Sequence, residues 1–249
     1  MRKELAGKVA LVTGGSRGIG AATALALAEH GAHVAISYAA SAAKAEAVVK
    51  ELAARGVDSA AFQADQADPA QVQALITAVV GRFGRLDILV NNAGVLTPGR
   101  LDDPTVDAEA LARQYAVNIG GVTTAIRAAA PVMADGGRII ILGSCVASRA
   151  AFPGLADYVA TKAAVAGYAK GAAHDLGPRG ITVNVVQPGP TATDMSPDSG
   201  DFAAVLKANT ALGRFARPEE IAAGIVFLAS PAASYITGAA LAIDGGFAA

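Results

Sequence analysis

Tyr158 and Lys162 stand four residues apart in the stretch Tyr158-Val159-Ala160-Thr161-Lys162. On a helix, positions i and i+4 share a face, so the ammonium can lie beneath the phenol. A free tyrosine titrates near about 10 and is a poor acid or base at neutral pH. A nearby positive charge favours the phenolate. The result is a phenol able to hand a proton to a forming alkoxide or take one from an alcohol. Ser144, fourteen residues earlier, adds a hydroxyl that can donate to an oxygen gathering negative charge. The same spacing also arises on ordinary helices with a snorkelling lysine, so the pair needs a second site to acquire meaning.

That second site lies near the N-terminus. Lys8-Val9-Ala10-Leu11-Val12 predicts a short strand, Thr13-Gly14-Gly15-Ser16-Arg17-Gly18-Ile19-Gly20 a turn, and Ala21 to Glu29 a helix closed by Gly31. Strand, glycine turn and helix is the context that makes a glycine motif a dinucleotide site. Gly14 permits a tight turn, Gly18 lets backbone approach a pyrophosphate, and Gly20 lets the helix pack on the sheet. The helix N-terminus then offers free N–H groups and a partial positive charge. The spacing is GxxxGxG, so the GxGxxG fingerprint is not met literally.

The elements that must position these groups follow a βα alternation. Strands are predicted over 8–13, 32–38, 57–63, 86–91, 137–143, 181–187 and 239–243, with helices between them, two of them long (104–134 and 156–177). Near-continuous apolar strands such as Ile139-Ile140-Ile141-Leu142 suit a parallel sheet buried on both faces. Right-handed crossovers then give a single doubly wound α/β domain over 1–249, a Rossmann sheet of about seven strands with helices on both faces. Its ligand belongs at the carboxyl edge, where strand order reverses. The long irregular segment 190–212, with Asp198-Ser199-Gly200-Asp201, is read as a substrate lid.

Composition agrees and excludes other classes. With 249 residues, 53% of them hydrophobic, the chain can fill one large core. A net charge of −1 gives no nucleic-acid footprint. Cys145 stands alone, so no internal disulfide forms, and His30, His33 and His174 make no metal-ligand cluster. Met1-Arg2-Lys3-Glu4 leads into the first strand without a signal-peptide apolar region, and no uninterrupted apolar run reaches the roughly 20 residues of a membrane span. A cytoplasmic protein without membrane or metal is the expectation.

TGGSRGIG at 13–20, Asp65, NNAG at 91–94, Asn118, Ser144, YVATK at 158–162, PGPTAT at 188–193 and DGG at 244–246 stand in one order. In this set the chain resembles the short-chain dehydrogenase/reductase family, from about Leu5 to Phe247, in the manner of its 3-oxoacyl-carrier-protein reductases. The resemblance implies that Asp65 contacts adenine, since Asp68-Pro69 reads as the N-cap of the next helix and leaves Asp65 free. It implies that Asn91, Ala93 and Gly94 line the adenine ribose and brace the sheet. Lys162 would lower the Tyr158 pKa and grip the nicotinamide ribose. Pro188, Gly189, Thr191 and Thr193 would hold the carboxamide. Asn118 would disturb its helix and hold a water linking Lys162 to solvent; alternatively it is a buried amide satisfying backbone. The family most often places its serine thirteen residues before the tyrosine, where this chain has Cys145. A variant register places it at Ser144, and a thiol is the weaker donor, so the catalytic set is Asn118, Ser144, Tyr158 and Lys162.

Cofactor choice is read at the end of the second strand, where an NAD enzyme usually carries an acid. Ser37-Tyr38-Ala39-Ala40-Ser41 has none, and Arg17 offers a cation from the loop. NADP is therefore expected, beside Ser16, Ile19 and Tyr38, with Arg17 and Ser41 on the 2′-phosphate; Ser41 is equally a candidate N-cap. Lys44 is read as solvated. The substrate pocket is expected from Cys145, Val146, Phe152, Pro153 and the lid, which suits an uncharged ketone, aldehyde, quinone or acyl thioester. The expected activity is NADP-dependent interconversion of a carbonyl and an alcohol by hydride transfer. An NAD-dependent alcohol dehydrogenase and a non-catalytic NADP sensor are the alternatives. Apolar C-terminal residues 235–247 and the Ala- and Gly-rich long helices point to a homotetramer, a dimer being second.

Overall fold

Short runs of aliphatic and β-branched residues form seven strands: β1 (Val9–Val12), β2 (His33–Tyr38), β3 (Ser59–Gln63), β4 (Leu86–Asn91), β5 (Met133–Leu142), β6 (Thr182–Pro188) and β7 (Ala240–Ile243). In this computed structural model, which describes residues 3–249, they pair in parallel in the order β3-β2-β1-β4-β5-β6-β7. The reading of Met1 and Arg2 lies outside the described residues. Eight helices connect the strands: α1 (Gly18–Glu29), α2 (Ala42–Ala54), α3 (Pro69–Phe83), α4 (Ala108–Tyr115), α5 (Val122–Ala129), α6 (Ala156–Leu176), α7 (Asp201–Ala208) and α8 (Pro218–Ala229).

Alternation along each strand feeds two cores. Ala10, Val12, Val34, Ile36, Val90 and Ile140 pack against α1, α2 and α8 on one face. Val9, Leu11, Ala35, Leu89, Ile139 and Ile141 pack against α3, α5 and α6 on the other. Both faces are covered, as a doubly wound sheet requires. Strand order reverses between β1 and β4, which opens a crevice at their carboxyl ends. Among the described residues, no helix is long and apolar enough to cross a membrane, and no group of three metal-ligating side chains forms.

Two elements differ from the sequence expectation. The helix expected over 104–134 starts at Ala108, because the Asp107 carboxylate accepts the N–H groups of Glu109 and Ala110. It ends at Ala129, just before Pro131, and β5 begins at Met133. The segment 190–212 is not irregular throughout: α7 occupies Asp201–Ala208, and Thr191 bridges to Ala216. At β7, the last strand forms an exposed sheet edge, as expected.

At the opposite, amino edge of the sheet, buried Asp87 joins β4 to β1. It accepts from Val9 N at 3.0 Å, Lys8 Nζ at 3.2 Å and Arg85 at 2.6 and 2.7 Å. Burial alone would raise this carboxyl, but the bonds from Arg85, Val9 and Lys8 outweigh it and hold it low. Its stabilisation is therefore present above the usual carboxylate range and lost in acid. Asp87→Ala should cost about 2 kcal/mol in urea denaturation at neutral pH and fixed protein concentration. An unchanged midpoint would show that this tie is dispensable.

Candidate active site

The crevice is built first by backbone. Gly14 follows β1 at φ +63° and Gly18 opens α1 at φ +54°, conformations that L side chains rarely adopt. A Cβ on Gly20 would collide with the Gly14 carbonyl and the Asn92 amide, so the helix can seat only on a glycine. Asn92 Nδ2 donates to the carbonyls of Thr13 (2.8 Å) and Gly14 (3.0 Å). Thr13 Oγ1 accepts from Asn92 N and Ala93 N at 3.0 and 3.1 Å. Arg17 occupies the N-cap of α1 in extended backbone without a side-chain cap, so the first N–H groups of α1 keep no side-chain acceptor.

A single cleft of about 730 Å³ runs from this loop to the α7 segment. Its walls include Gly14, Ser16, Arg17, Gly18, Ile19 and Gly20; Tyr38, Ser41, Asp65, Ala93 and Gly94; and Pro188, Gly189, Thr191 and Thr193. The glycine cradle and the uncapped helix end fit a pyrophosphate. Asn91 is not among the walls. It is the last residue of a strand buried on both faces, and its amide lies in the interior without a hydrogen-bond partner. Asn92 takes its place at the cleft. Asp65 lines the cleft but is not free: Arg113 of α4 grips both its oxygens at 3.0 and 3.1 Å. The Arg113 bonds hold its carboxyl below the usual range. Asp68 does cap α3, as expected. The Ser41 hydroxyl caps nothing, although Ser41 stands at the N-cap position of α2. Lys44, read as solvated, instead reaches Asp194 at 3.1 Å together with Arg17 at 3.2 Å.

The titratable centre lies deeper. Tyr158 and Lys162 rise from the first turns of α6, with the ammonium 5.6 Å from the phenol ring centroid. Lys162 Nζ donates to the Leu142 carbonyl at 2.8 Å, and burial brings it down to about 8. Burial pushes Tyr158 up to about 12, against a Ser144 hydrogen bond that favours the phenolate. The expected lowering of the phenol by Lys162 is therefore not realised by the protein's own groups. The ammonium passes beside the ring to a carbonyl, and desolvation wins.

Ser144 and Cys145 follow β5. The Ser144 Oγ accepts from Val146 N at 3.4 Å over a short 3₁₀ turn, Cys145–Ala147, and lines the cleft. Cys145 is 3% exposed, and burial, with Asp244 adding to it, pushes its thiol up to about 11.

Asn118 sits in a π-helical turn, Ala116–Gly121, between α4 and α5, so the helix is disturbed where expected. Its side chain is satisfied by Val95 N and O (both 2.9 Å) and by Thr161 Oγ1 (3.2 Å), as a buried amide would be. A Cβ on Gly94 would lie 3.4 Å from Asn118 Oδ1 and 3.5 Å from Lys162 Nζ, which places the two groups around one point.

The far end of the cleft is aromatic. Phe152 meets Phe202 of α7 edge-on at 5.4 Å between centroids and Phe247 at 6.2 Å. Val146 joins these walls, as expected, while Pro153 does not. Met195, Phe202 and Leu206 come from the segment expected as a lid, where none was singled out, and Phe247 comes from the C-terminal stretch that was read as an assembly surface. The sequence signal for the first three was the apolar content of a segment otherwise read as irregular.

The chain matches the family model described as "Enoyl-(Acyl carrier protein) reductase" over residues 14–248. The 3-oxoacyl-[acyl-carrier-protein] reductase FabG of Staphylococcus aureus is 45% identical over 249 residues, covering 96% of this chain and 97% of that one. A short-chain dehydrogenase/reductase from Serratia marcescens is 52% identical with a TM-score of 0.96, covering 99% of this chain and 100% of that one. A Burkholderia cenocepacia short chain dehydrogenase, solved in complex with NADP, is 47% identical with a TM-score of 0.96, covering 99% and 100%.

The burial of Cys145 has a direct chemical consequence. The folded chain should resist thiol-specific disulfide reagents at pH 8, and reaction should reach one thiol per chain only on denaturation. Fast stoichiometric labelling of the native protein would show that this thiol is open to solvent.

Proposed function

Because the chain belongs to the short-chain dehydrogenase/reductase family, we propose that its cleft performs NADP-dependent interconversion of a carbonyl and an alcohol. One observation carries this reading. A single cleft joins the glycine cradle, with Arg17 at its rim and no acid at the end of β2, to Tyr158, Lys162 and Ser144. An NAD-dependent dehydrogenase would want a carboxylate after β2, and a sensor without turnover would need neither Tyr158 nor Lys162.

In this reading Gly14 to Gly20 and the α1 N-terminus hold the pyrophosphate. Asp65, Ala93 and Gly94 line the adenosine side, and Pro188, Gly189, Thr191 and Thr193 hold the carboxamide. The nicotinamide, when bound, supplies or accepts a hydride at the carbonyl carbon. Tyr158 is the proton donor and acceptor. With its phenol up at about 12 it is protonated throughout the neutral range, which suits donation to a nascent alkoxide and hence reduction. Lys162 holds positive charge beside it below about pH 8. Ser144 donates to the carbonyl oxygen; the buried thiol of Cys145 touches substrate beside Val146 and Phe152. Asn118 anchors the Val95 and Thr161 backbone and hydroxyl groups next to Lys162. The 190–212 segment closes over substrate as a lid, carrying Phe202. The apolar far end favours an uncharged ketone, aldehyde or 3-oxoacyl group.

The test is a panel of ketones, 3-oxoacyl thioesters included, assayed at 340 nm with each cofactor. NADPH should support reduction with at least a tenfold higher kcat/KM than NADH. Tyr158→Phe should lose turnover while still binding NADPH, and Ser144→Ala should lose on the order of 10²-fold in kcat, with Cys145→Ala far less affected. Equal use of NADH, more than a tenth of the activity in Tyr158→Phe, or a larger loss in Cys145→Ala would each refute the corresponding assignment.

We also propose a cytoplasmic homotetramer. The lone buried thiol suits a reducing compartment. Exposed Leu241 on the edge strand β7, with exposed Phe227 on α8 and Tyr235 between them, supports burial against further copies. Light scattering at micromolar concentration should give about four times the 24.6 kDa chain mass; a mass near one chain would overturn the assembly.

A further inference from the structure

Two cations from different elements converge on one oxygen atom. Arg17 Nη1, from the glycine loop, lies 3.2 Å from Asp194 Oδ2, and Lys44 Nζ, from the first turn of α2, lies 3.1 Å from the same oxygen. All three side chains are more than half exposed, so this is no buried structural bridge. Exposed pairs of this kind contribute little to stability, yet the two cations are drawn to a single anionic point. Arg17, Asp194 and the residues that end β2, Ala39 to Ser41, all line the same cleft, and Lys44 belongs to the helix that starts directly after them. The Ser41 hydroxyl there is uncommitted.

Resting on the NADP reading above, which already gives Arg17 to the cofactor's 2′-phosphate, we propose that Lys44 shares that seat and that the Asp194 carboxylate competes for it. A carboxylate oxygen bonded by both cations marks where a phosphate oxygen would be held. A phosphate monoester carries more charge and more acceptor oxygens than a carboxylate, so it makes stronger charge-assisted bonds to the same donors. The two anions repel and cannot share the seat. Asp194 lies inside a tight turn in which the backbones of Thr193 and Ser196 bond each other at 3.0 and 3.2 Å. Rotation of its side chain alone therefore vacates the seat while the turn keeps its backbone. Lys44 and Asp194 thus act in opposite senses on affinity for the phosphorylated cofactor, and neither touches the chemistry at Tyr158. NADH, lacking the 2′-phosphate, is indifferent to both.

The experiment is calorimetric titration of the wild type, Lys44→Met and Asp194→Asn with NADPH and with NADH, and thermal melts of each variant confirm folding. Lys44→Met should weaken NADPH about tenfold and leave NADH unchanged. Asp194→Asn should tighten NADPH several-fold, again without effect on NADH. The seat is refuted if Lys44→Met moves both cofactors alike or neither, and the competition is refuted if Asp194→Asn leaves NADPH unchanged or weakens it. A wild type that binds NADH as tightly as NADPH would instead bring down the NADP reading, and this inference with it.

Discussion

The reversal of strand order between β1 and β4 is the constraint on which the rest of the molecule hangs. It forces α1 and the segment after β4 to leave the sheet on opposite sides, and the gap between them must be held open and held together at once. The Asn92 amide and the Thr13 hydroxyl do both, tying the two strand ends through four hydrogen bonds of 2.8 to 3.1 Å. Because Gly20 has no Cβ, α1 can sit against this tie. A larger residue would push the helix off the sheet and remove the phosphate cradle with it. The cleft is therefore a product of sheet topology first and of side chains second.

The same burial that shapes the cleft sets its acid–base properties. Lys162 is buried and Tyr158 is half-buried in the wall of the cleft, so each is driven toward its neutral form: the phenol up to about 12, the amine down to about 8. These shifts oppose the simple picture in which a lysine beside a tyrosine produces a phenolate. At this depth the desolvation penalty exceeds a lysine contact directed past the ring at the Leu142 carbonyl. A phenol so held is an acid across the physiological range. The Ser144 hydroxyl is the one group that pulls the phenol back toward ionisation, and it lines the same cleft.

What the sequence disclosed was whatever is local. Strand and helix placement, the glycine turn, the Asp68 cap and the Tyr158–Lys162 spacing all depend on neighbours within one turn or one strand. Asn91 ends β4 with its amide in the interior while Asn92, one residue on, meets the cleft, and only the register of β4 between β1 and β5 decides which of the two does so. The partners of Asp65 and of Lys44 were invisible for another reason. Arg113 lies 48 residues from Asp65, and Asp194 lies 150 residues from Lys44, so both pairs exist only once the crossovers are made. Likewise α7 was hidden in a segment whose Asp, Ser, Pro and Gly content reads as loop. Its helical stretch, Asp201–Ala208, is short and lacks a side-chain cap.

Charge is sorted along the cleft, and this sorting follows from which elements contribute walls. The end near β2 and α2 is lined by Arg17, Asp65, Arg113 and Asp194, each paired with an opposite charge. The end near α7 is lined by Phe152, Phe202, Leu206 and Phe247. A polyanionic ligand can be held only at the first end, where cations are available to exchange partners. An ionised substrate at the second would lose its hydration with nothing to replace it. One cleft can thus receive two unlike molecules in a fixed orientation, the charged one outward along the strand ends and the apolar one beneath α7. Tyr158 lines this same cleft. The orientation needed for transfer between the two ligands is in this way imposed by solvation before any specific contact is made.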